Sequence, residues 1–95
     1  MNEPAMDLGI SLALVSSASD FVIPKDVVCF GEVGLAGEIR GVSMAAARVS
    51  EAKKLGFHAC ILPGVCMKEA QEITGIKLLP VSDIREAIRT AKSFS

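Results

Sequence analysis

Short apolar segments alternate with helical patterns from residue 27 onwards, and this alternation constrains the fold more than any other feature of the chain. Val27–Phe30, Phe57–Leu62 and Ile76–Leu79 have the length and the apolar content of buried strands. Segments with apolar residues at helical spacing follow them, at 43–55, 67–73 and 82–91. Strands that alternate with helices predict an α/β (α+β) fold with at least one parallel pair of strands.

Capping and breaking residues predict where these elements end. Ser43 and Ser82 are expected to cap the second and the last helix, and Gly56 is expected to be the C′ residue of the second helix. Three residues are expected to end the strand or helix before them: Pro63, Gly75 and Pro80. The predicted inward faces are Met44, Ala47, Ala52 and Leu55 in the second helix and Ile84, Ala87, Ile88 and Ala91 in the last.

Two further elements are predicted in the first half of the chain. A first helix begins at Pro4, whose missing N–H costs nothing in a first turn, and ends near Ser17. A glycine-rich hairpin follows the first strand, with Val33 and Leu35 leading in, Ala36-Gly37 turning and Ile39 leading out. The carboxylates that flank it, Glu32 and Glu38, are expected to face solvent or to stabilise the hairpin.

The composition excludes several functions. The 95 residues suit one small domain, and a formal net charge of −1 argues against strong autonomous binding of nucleic acid. Cys29, Cys60 and Cys66 contain no C-x-x-C pair, so we expect buried, reduced thiols and neither a disulfide framework nor a zinc site. His58, the only histidine, has no apparent metal partner. The apolar run Leu8–Val15 is too short to span a membrane, so the chain is expected to be intracellular.

The segment Phe30–Val42, together with Arg48–Phe57, resembles the Lon-protease-like domain at the C-terminus of RadA-type (Sms) DNA-repair proteins. Glu3-Pro4-Ala5, followed by Asp7-Leu8, matches that branch better than it matches active Lon proteases. The resemblance covers nearly all of the chain and implies a Lon-like fold of the ribosomal-protein-like β-α-β type. It implies that residues 1–95 are a single Lon-like domain without its N-terminal strands, the C-terminal portion of a larger chain.

Active members of this family use a serine nucleophile and a lysine base. The resemblance places Ala5 at the serine position and Ala46 at the lysine position, so no catalytic residue is expected. Ser43 with Lys53 or Lys54 is the substitute pair on paper, but ten or eleven residues of helix separate its members by roughly 15 Å. That distance prevents proton transfer.

In the family, this domain follows a zinc motif and a RecA-like ATPase. The resemblance therefore implies a homo-oligomer, a hexamer in the full-length protein, that contacts DNA. The candidate nucleic-acid-binding residues are Arg40, Arg48, Lys53 and Lys54; the alternative interpretation is a solvated helix face with Glu51 as the counter-charge. The loop after the hairpin departs from the family pattern Arg-Pro-Val-Pro-Arg, because it has Gly41 for a proline and Met44 for an arginine.

Two alternatives stay open at this point: a Lon-like serine peptidase fragment and a stand-alone protein-interaction domain. No metal and no cofactor are expected in this chain, because it contains no P-loop and no cluster of metal ligands. The expected location is the bacterial cytoplasm or, in a eukaryote, a plastid or mitochondrion, without contact to a membrane.

Overall fold

A parallel three-stranded sheet organises the part of the chain that the computed structural model describes, which is Gly9 and residues 25–93. In chain order the described elements are β1 (Val27–Cys29), β2 (Glu32–Val33), β3 (Ile39–Arg40), α1 (Ala45–Lys54), β4 (Ala59–Pro63), a 3₁₀ helix (Gly64–Cys66), α2 (Met67–Ala70), β5 (Lys77–Val81) and α3 (Ile84–Lys92). The strand order is β1-β4-β5, and both neighbouring pairs are parallel. The predicted α/β fold is therefore confirmed.

Strand β4 lies in the middle of this sheet, and all five of its residues are buried. Its side chains point alternately to the two faces. Ile61 packs with Val81 and with Ala87 of α3 on one face. On the other face, Cys60 and Leu62 pack in a cluster with residues of α1 and α2. Both faces of the sheet are covered, as expected for parallel strands joined by helices.

The last helix has the predicted inward face but a different cap. Ala87 and Ala91 are fully buried, and Ile84 and Ile88 pack against the same core cluster. The N-cap residue is Asp83 and not the predicted Ser82, since Asp83 Oδ1 accepts the N–H of Glu86 at 2.8 Å. The Glu86 carboxylate in turn accepts the Ser82 N–H at 2.7 Å and the Ser82 hydroxyl at 3.2 Å. These reciprocal bonds resemble a capping box displaced by one residue.

Helix α1 buries a face that the sequence did not predict. Ala45, Val49 and Ala52 point into the core, whereas Met44 and Leu55 are each 68% exposed. Of the predicted stripe only Ala52 is buried. Ala45-Ala46-Ala47 is equally apolar on every side, so the sequence leaves the rotation of the helix undetermined and packing against the sheet decides it.

The C-terminal end of α1 agrees with prediction. Gly56 has φ 95°, a left-handed conformation that glycine adopts without a Cβ clash. Its N–H donates to the Lys53 carbonyl, and the Phe57 N–H donates to the Ala52 carbonyl, both at 3.1 Å. This pair of bonds is a Schellman motif with Gly56 as the C′ residue.

Several predicted boundaries were wrong. β4 begins at Ala59 because Phe57 completes the cap of α1, and it includes Pro63. β5 runs through Pro80 to Val81. Pro80 is tolerated because β5 is an edge strand of the described sheet, where a missing N–H need not interrupt a ladder. Helix α2 ends at Ala70, earlier than the predicted stripe to Ile73.

The hairpin forms as predicted, with one shift at its tip. β2 and β3 are antiparallel, and Val33 pairs with Ile39. Leu35 lies in the turn and not in the first strand, because the Gly37 N–H closes the turn onto the Gly34 carbonyl at 3.0 Å. The predicted first helix falls outside the described residues, apart from Gly9, which is helical.

Candidate functional site

Ala46, which the resemblance matches to the family lysine, lies in the first turn of α1. Its N–H donates to the carboxylate of Glu69, in α2, at 3.0 Å. A side chain from a second helix thus satisfies one of the N–H groups that every helix N-terminus leaves unbonded. This contact replaces the predicted Ser43 cap: the N-cap residue is Met44, which makes no side-chain cap hydrogen bond. Ala5, the other dyad position, lies outside the described residues.

Ser43 does not lie where a nucleophile with a lysine base could be. It is exposed and precedes α1, and its carbonyl accepts a hydrogen bond from Arg48 Nε at 3.0 Å. Lys53 and Lys54 belong to the last turn of the same helix. The helical rise separates them from Ser43 by roughly 15 Å, well beyond the reach of a hydrogen bond.

Arg40 forms ion pairs within the hairpin. Its Nη2 lies 2.9 Å from Glu38 Oε2, and its Nη1 lies 3.6 Å from Glu32 Oε1. Glu32 and Glu38 therefore stabilise the hairpin, as predicted, and share one guanidinium between them. Arg40 already carries two carboxylate partners, which weakens its case as a phosphate contact.

The three other candidate cations lie at different angles around α1. At about 100° per residue, Lys53 and Lys54 lie about 140° and 120° from Arg48, in opposite directions around the axis. Arg48 lies towards β1, among the residues that line a groove described below. Lys53 lies beside Gly75, where an added Cβ would be 2.9 Å from Lys53 Cε. Lys53 and Lys54 are exposed neighbours in the last helical turn.

The tip of the hairpin is ordered by the Glu38 carboxylate. Oε1 accepts the Ala36 N–H at 3.0 Å, and the carboxylate lies so close to Gly34 that a Cβ there would collide with it. Hydrogen bonds from its own backbone N–H, from Arg40 and from Ala36 lower the pKa of the Glu38 carboxyl. The same pairing, led by Glu38, raises the pKa of Arg40. The four-residue turn is thus held by a charged side chain from within the hairpin.

His58 has a partner that sequence reasoning missed. Its Nδ1 lies 3.0 Å from Asp26 Oδ2, with the two side chains 81% and 51% exposed. Asp26 directly precedes β1, and His58 directly precedes β4, the parallel neighbour of β1. The sequence indicates the contact only through these equivalent positions. Among the described residues, no group of three His, Cys, Asp or Glu side chains could hold a metal ion. No described helix has the length and apolar content required to cross a membrane.

The three cysteines are free thiols in the described core. Cys60 and Cys66 are buried, and Cys29 is partly buried. Burial raises the pKa of Cys29 to about 11, and burial together with the nearby Cys29 raises the pKa of Cys60 to about 12. The expectation of buried, reduced thiols holds for Cys60 and Cys66 and in part for Cys29.

An apolar groove of about 430 Å³ lies beside β1, next to the exposed face of α1. It is lined by Val28, Phe30, Met44, Ala47, Arg48, Glu51, Ala52, Leu55 and Phe57. Sequence reasoning missed this groove because it assigned Met44, Ala47 and Leu55 to the core. The sequence did indicate that these residues share one face of the helix, since their spacing is helical, but not that this face is at the surface.

The described fold is a small α/β domain with a parallel three-stranded sheet. Residues 2–65 match the family model described as subunit ChlI of Mg-chelatase, and the chain belongs to that family. Several relatives bear the name DNA repair protein RadA. Three of them are 47% identical over 93% of this chain (Aquifex aeolicus), 43% over 96% (Synechocystis sp.) and 42% over 96% (Bacillus subtilis).

These relatives confirm the resemblance that the hairpin and the following helix indicated. The chain spans only about one fifth of their length, with 19%, 18% and 20% of the three sequences covered. The matched region fits the Lon-like part of RadA.

Proposed function

We propose that this chain is a catalytically inactive Lon-like domain of a RadA-type DNA repair and recombination protein. In that role it is the C-terminal domain of a longer chain, scaffolds a homo-oligomer (a hexamer in the full-length protein) and adds contacts to DNA. The observation that supports the proposal concerns Ala46, which the family resemblance matches to the catalytic lysine. Its side chain has no base, and its N–H donates to the Glu69 carboxylate. Such a domain needs no cofactor of its own, and its place is the bacterial cytoplasm or a plastid or mitochondrion.

The absence of peptidase chemistry is tested directly. A serine hydroxyl needs a base within hydrogen-bond reach to become a nucleophile. We expect no cleavage of unfolded protein or peptide esters and no labelling by serine-directed phosphonates. Cleavage that survives purification and disappears in the Ser43→Ala variant would contradict the proposal.

Lys53 and Lys54 are the strongest candidates for DNA contact. Arg40 is paired with two carboxylates, and Arg48 binds the Ser43 carbonyl at the side of the groove. Lys53 and Lys54 are adjacent and exposed. With a chain charge of only −1, one such pair binds weakly, and copies in a ring would add through multivalency.

The test is a salt titration of DNA binding by the full-length protein. Each lost phosphate contact should lower the slope of log K against log salt by about 0.9. We expect the Lys53→Ala/Lys54→Ala variant to weaken binding equally for all DNA sequences, because phosphate contacts carry no base information. The matched control is Lys68→Ala/Arg85→Ala, which removes the same charge from exposed positions outside α1. Identical slopes for the wild type and the Lys53→Ala/Lys54→Ala variant would show that these two lysines do not contact DNA.

A further inference from the structure

The three parallel strands begin at one end of the sheet, and lysines from separate parts of the chain lie at that end. Lys25 lies two residues before β1, and Lys77 is the first residue of β5. The Lys77 N–H donates to the carbonyl of His58, the residue before β4, at 2.9 Å. In the register of the sheet, Val27 pairs with Ala59, and Ala59 pairs with Lys77. The starts of the three strands therefore form one row.

The end of α1 adds two lysines to the same end of the sheet. Only four residues separate Lys54, the last residue of α1, from the start of β4. Lys53 Cε lies 2.9 Å from the position of a Cβ added to Gly75, and Gly75 is two residues before Lys77. All four lysines are exposed, and together we call them the amino-end face: Lys25, Lys53, Lys54 and Lys77.

The amino-end face carries more positive than negative charge. Asp26 is next to Lys25 in the chain, but its carboxylate is paired with His58. Among the described residues, none of the four lysines forms an ion pair. Acidic side chains lie at the opposite end of the sheet, where Glu69 binds the first turn of α1 and Asp83 caps α3. The domain thus has two ends of opposite charge, although the net charge of the chain is only −1.

The helix dipole accounts for only two of the four lysines. Cations near a helix C-terminus are favourable, and this applies to Lys53 and Lys54 in the last turn of α1. Lys25 and Lys77 belong to no helix. Their position beside the other two is therefore not explained by the stability of α1, and a shared anionic partner explains all four.

A DNA strand matches the amino-end face in charge and in length. Neighbouring strands of a sheet are about 4.8 Å apart, so the row of strand starts is about 10 Å long. One DNA strand carries a phosphate about every 3.4 Å along the helix axis, so about three phosphates match that length. The four lysines can bind phosphates, but the face has no Phe, Tyr or Trp on which a base could stack.

We propose that the domain contacts DNA with its amino-end face, so that the lysines before β1 and at the start of β5 form one phosphate-binding site with the two lysines of α1. The acidic end of the domain then points away from the DNA. This inference rests on the proposed DNA role and names the face that performs it. Because the contacts are to phosphates, binding at this face is independent of base sequence.

The experiment adds one variant to the salt titration of the full-length protein. Lys25→Ala/Lys77→Ala removes two charges of the amino-end face without changing α1. Lys68→Ala/Arg85→Ala is the matched control, because both residues are exposed and follow the carboxyl ends of β4 and β5. We expect Lys25→Ala/Lys77→Ala to lower the slope of log K against log salt by about 0.9 for each lost phosphate contact, as Lys53→Ala/Lys54→Ala does. The control should keep the slope of the wild type, and far-UV circular dichroism establishes that each variant is folded.

The outcomes separate this inference from the proposed function. If the slope falls for Lys53→Ala/Lys54→Ala and not for Lys25→Ala/Lys77→Ala, the inference is wrong and the DNA role of α1 stands. If neither variant changes the slope, both the inference and the DNA role of this domain are wrong. An equal fall in the Lys68→Ala/Arg85→Ala control would show that total charge, and not the amino-end face, determines binding, and it would overturn the inference.

Discussion

Met44 has a left-handed backbone conformation, with φ 59° and ψ 39°, at the residue that precedes α1. It is the only described residue other than glycine with a positive φ. In a residue with a Cβ this conformation costs about 1 kcal/mol, because the Cβ approaches the following carbonyl. Met44 makes no side-chain cap and is 68% exposed beside the groove. The side chain of Met44 therefore adds no cap hydrogen bond that would offset this cost.

At this residue we predict that Met44→Asn raises the free energy of unfolding by about 1 kcal/mol, because asparagine tolerates the left-handed conformation and favours N-cap positions. Urea denaturation of the two proteins measures the change. Met44→Ala is the matched control: it removes the same side chain but keeps the unfavourable conformation, so it should not stabilise. Equal gains in both variants would show that loss of the exposed methionine, and not the backbone conformation, is responsible.

At the scale of the element, the stability that the hairpin contributes depends on pH. Folding lowers the pKa of the Glu38 carboxyl from 4.5, chiefly through its own backbone N–H, then Arg40 and Ala36. A carboxyl whose pKa is lower in the folded state contributes stability that is fully present above the unfolded value and is lost as the pH falls through the folded value. The hairpin contribution is therefore complete at neutral pH and declines below pH 4.5.

We predict that the urea midpoint of the wild type falls between pH 5 and pH 3 more than that of Glu38→Gln, whose amide does not titrate. Glu72→Gln, which removes an exposed carboxyl outside the hairpin, should fall as the wild type does. The measurement is the difference between the variants at each pH, which cancels the titration of groups common to all three. Parallel curves for the wild type and Glu38→Gln would show that the Glu38 contacts add no stability.

At the scale of the whole molecule, three thiols report on opening of the core. The reactive species is the thiolate, and burial raises the pKa of Cys29 to about 11 and of Cys60 to about 12. Cys66 is buried in the core cluster that contains Cys60. Reaction with a disulfide reagent at pH 8 should therefore require unfolding of the domain.

We predict that all three thiols react in one slow phase in the native chain and at once in strong denaturant. The slow rate should increase with urea as global unfolding does. A thiol that reacts rapidly in the native chain, identified by mass spectrometry, would contradict a cooperative core and would locate the segment that opens alone.

Much of the architecture follows from local pattern. The apolar run around β4 and the alternation of helices and strands predicted the parallel sheet, since only buried strands tolerate such continuous apolar content. Gly56 predicted the end of α1, because its left-handed conformation is a local property of the chain. The glycines of the hairpin likewise predicted its turn.

The rest depended on contacts between residues far apart in the chain. The sequence could not orient α1, because three consecutive alanines suit any rotation, and packing against β4 exposed Met44 and Leu55 instead of burying them. It could not show that Glu69 binds the N–H of Ala46, twenty-three residues away, in place of the expected Ser43 cap. The residues of this chain determined most of its elements, because helix and strand patterns are local. Only the tertiary structure decided which apolar side chains form the core and which line a groove at the surface, because burial depends on what the rest of the fold places opposite each side chain.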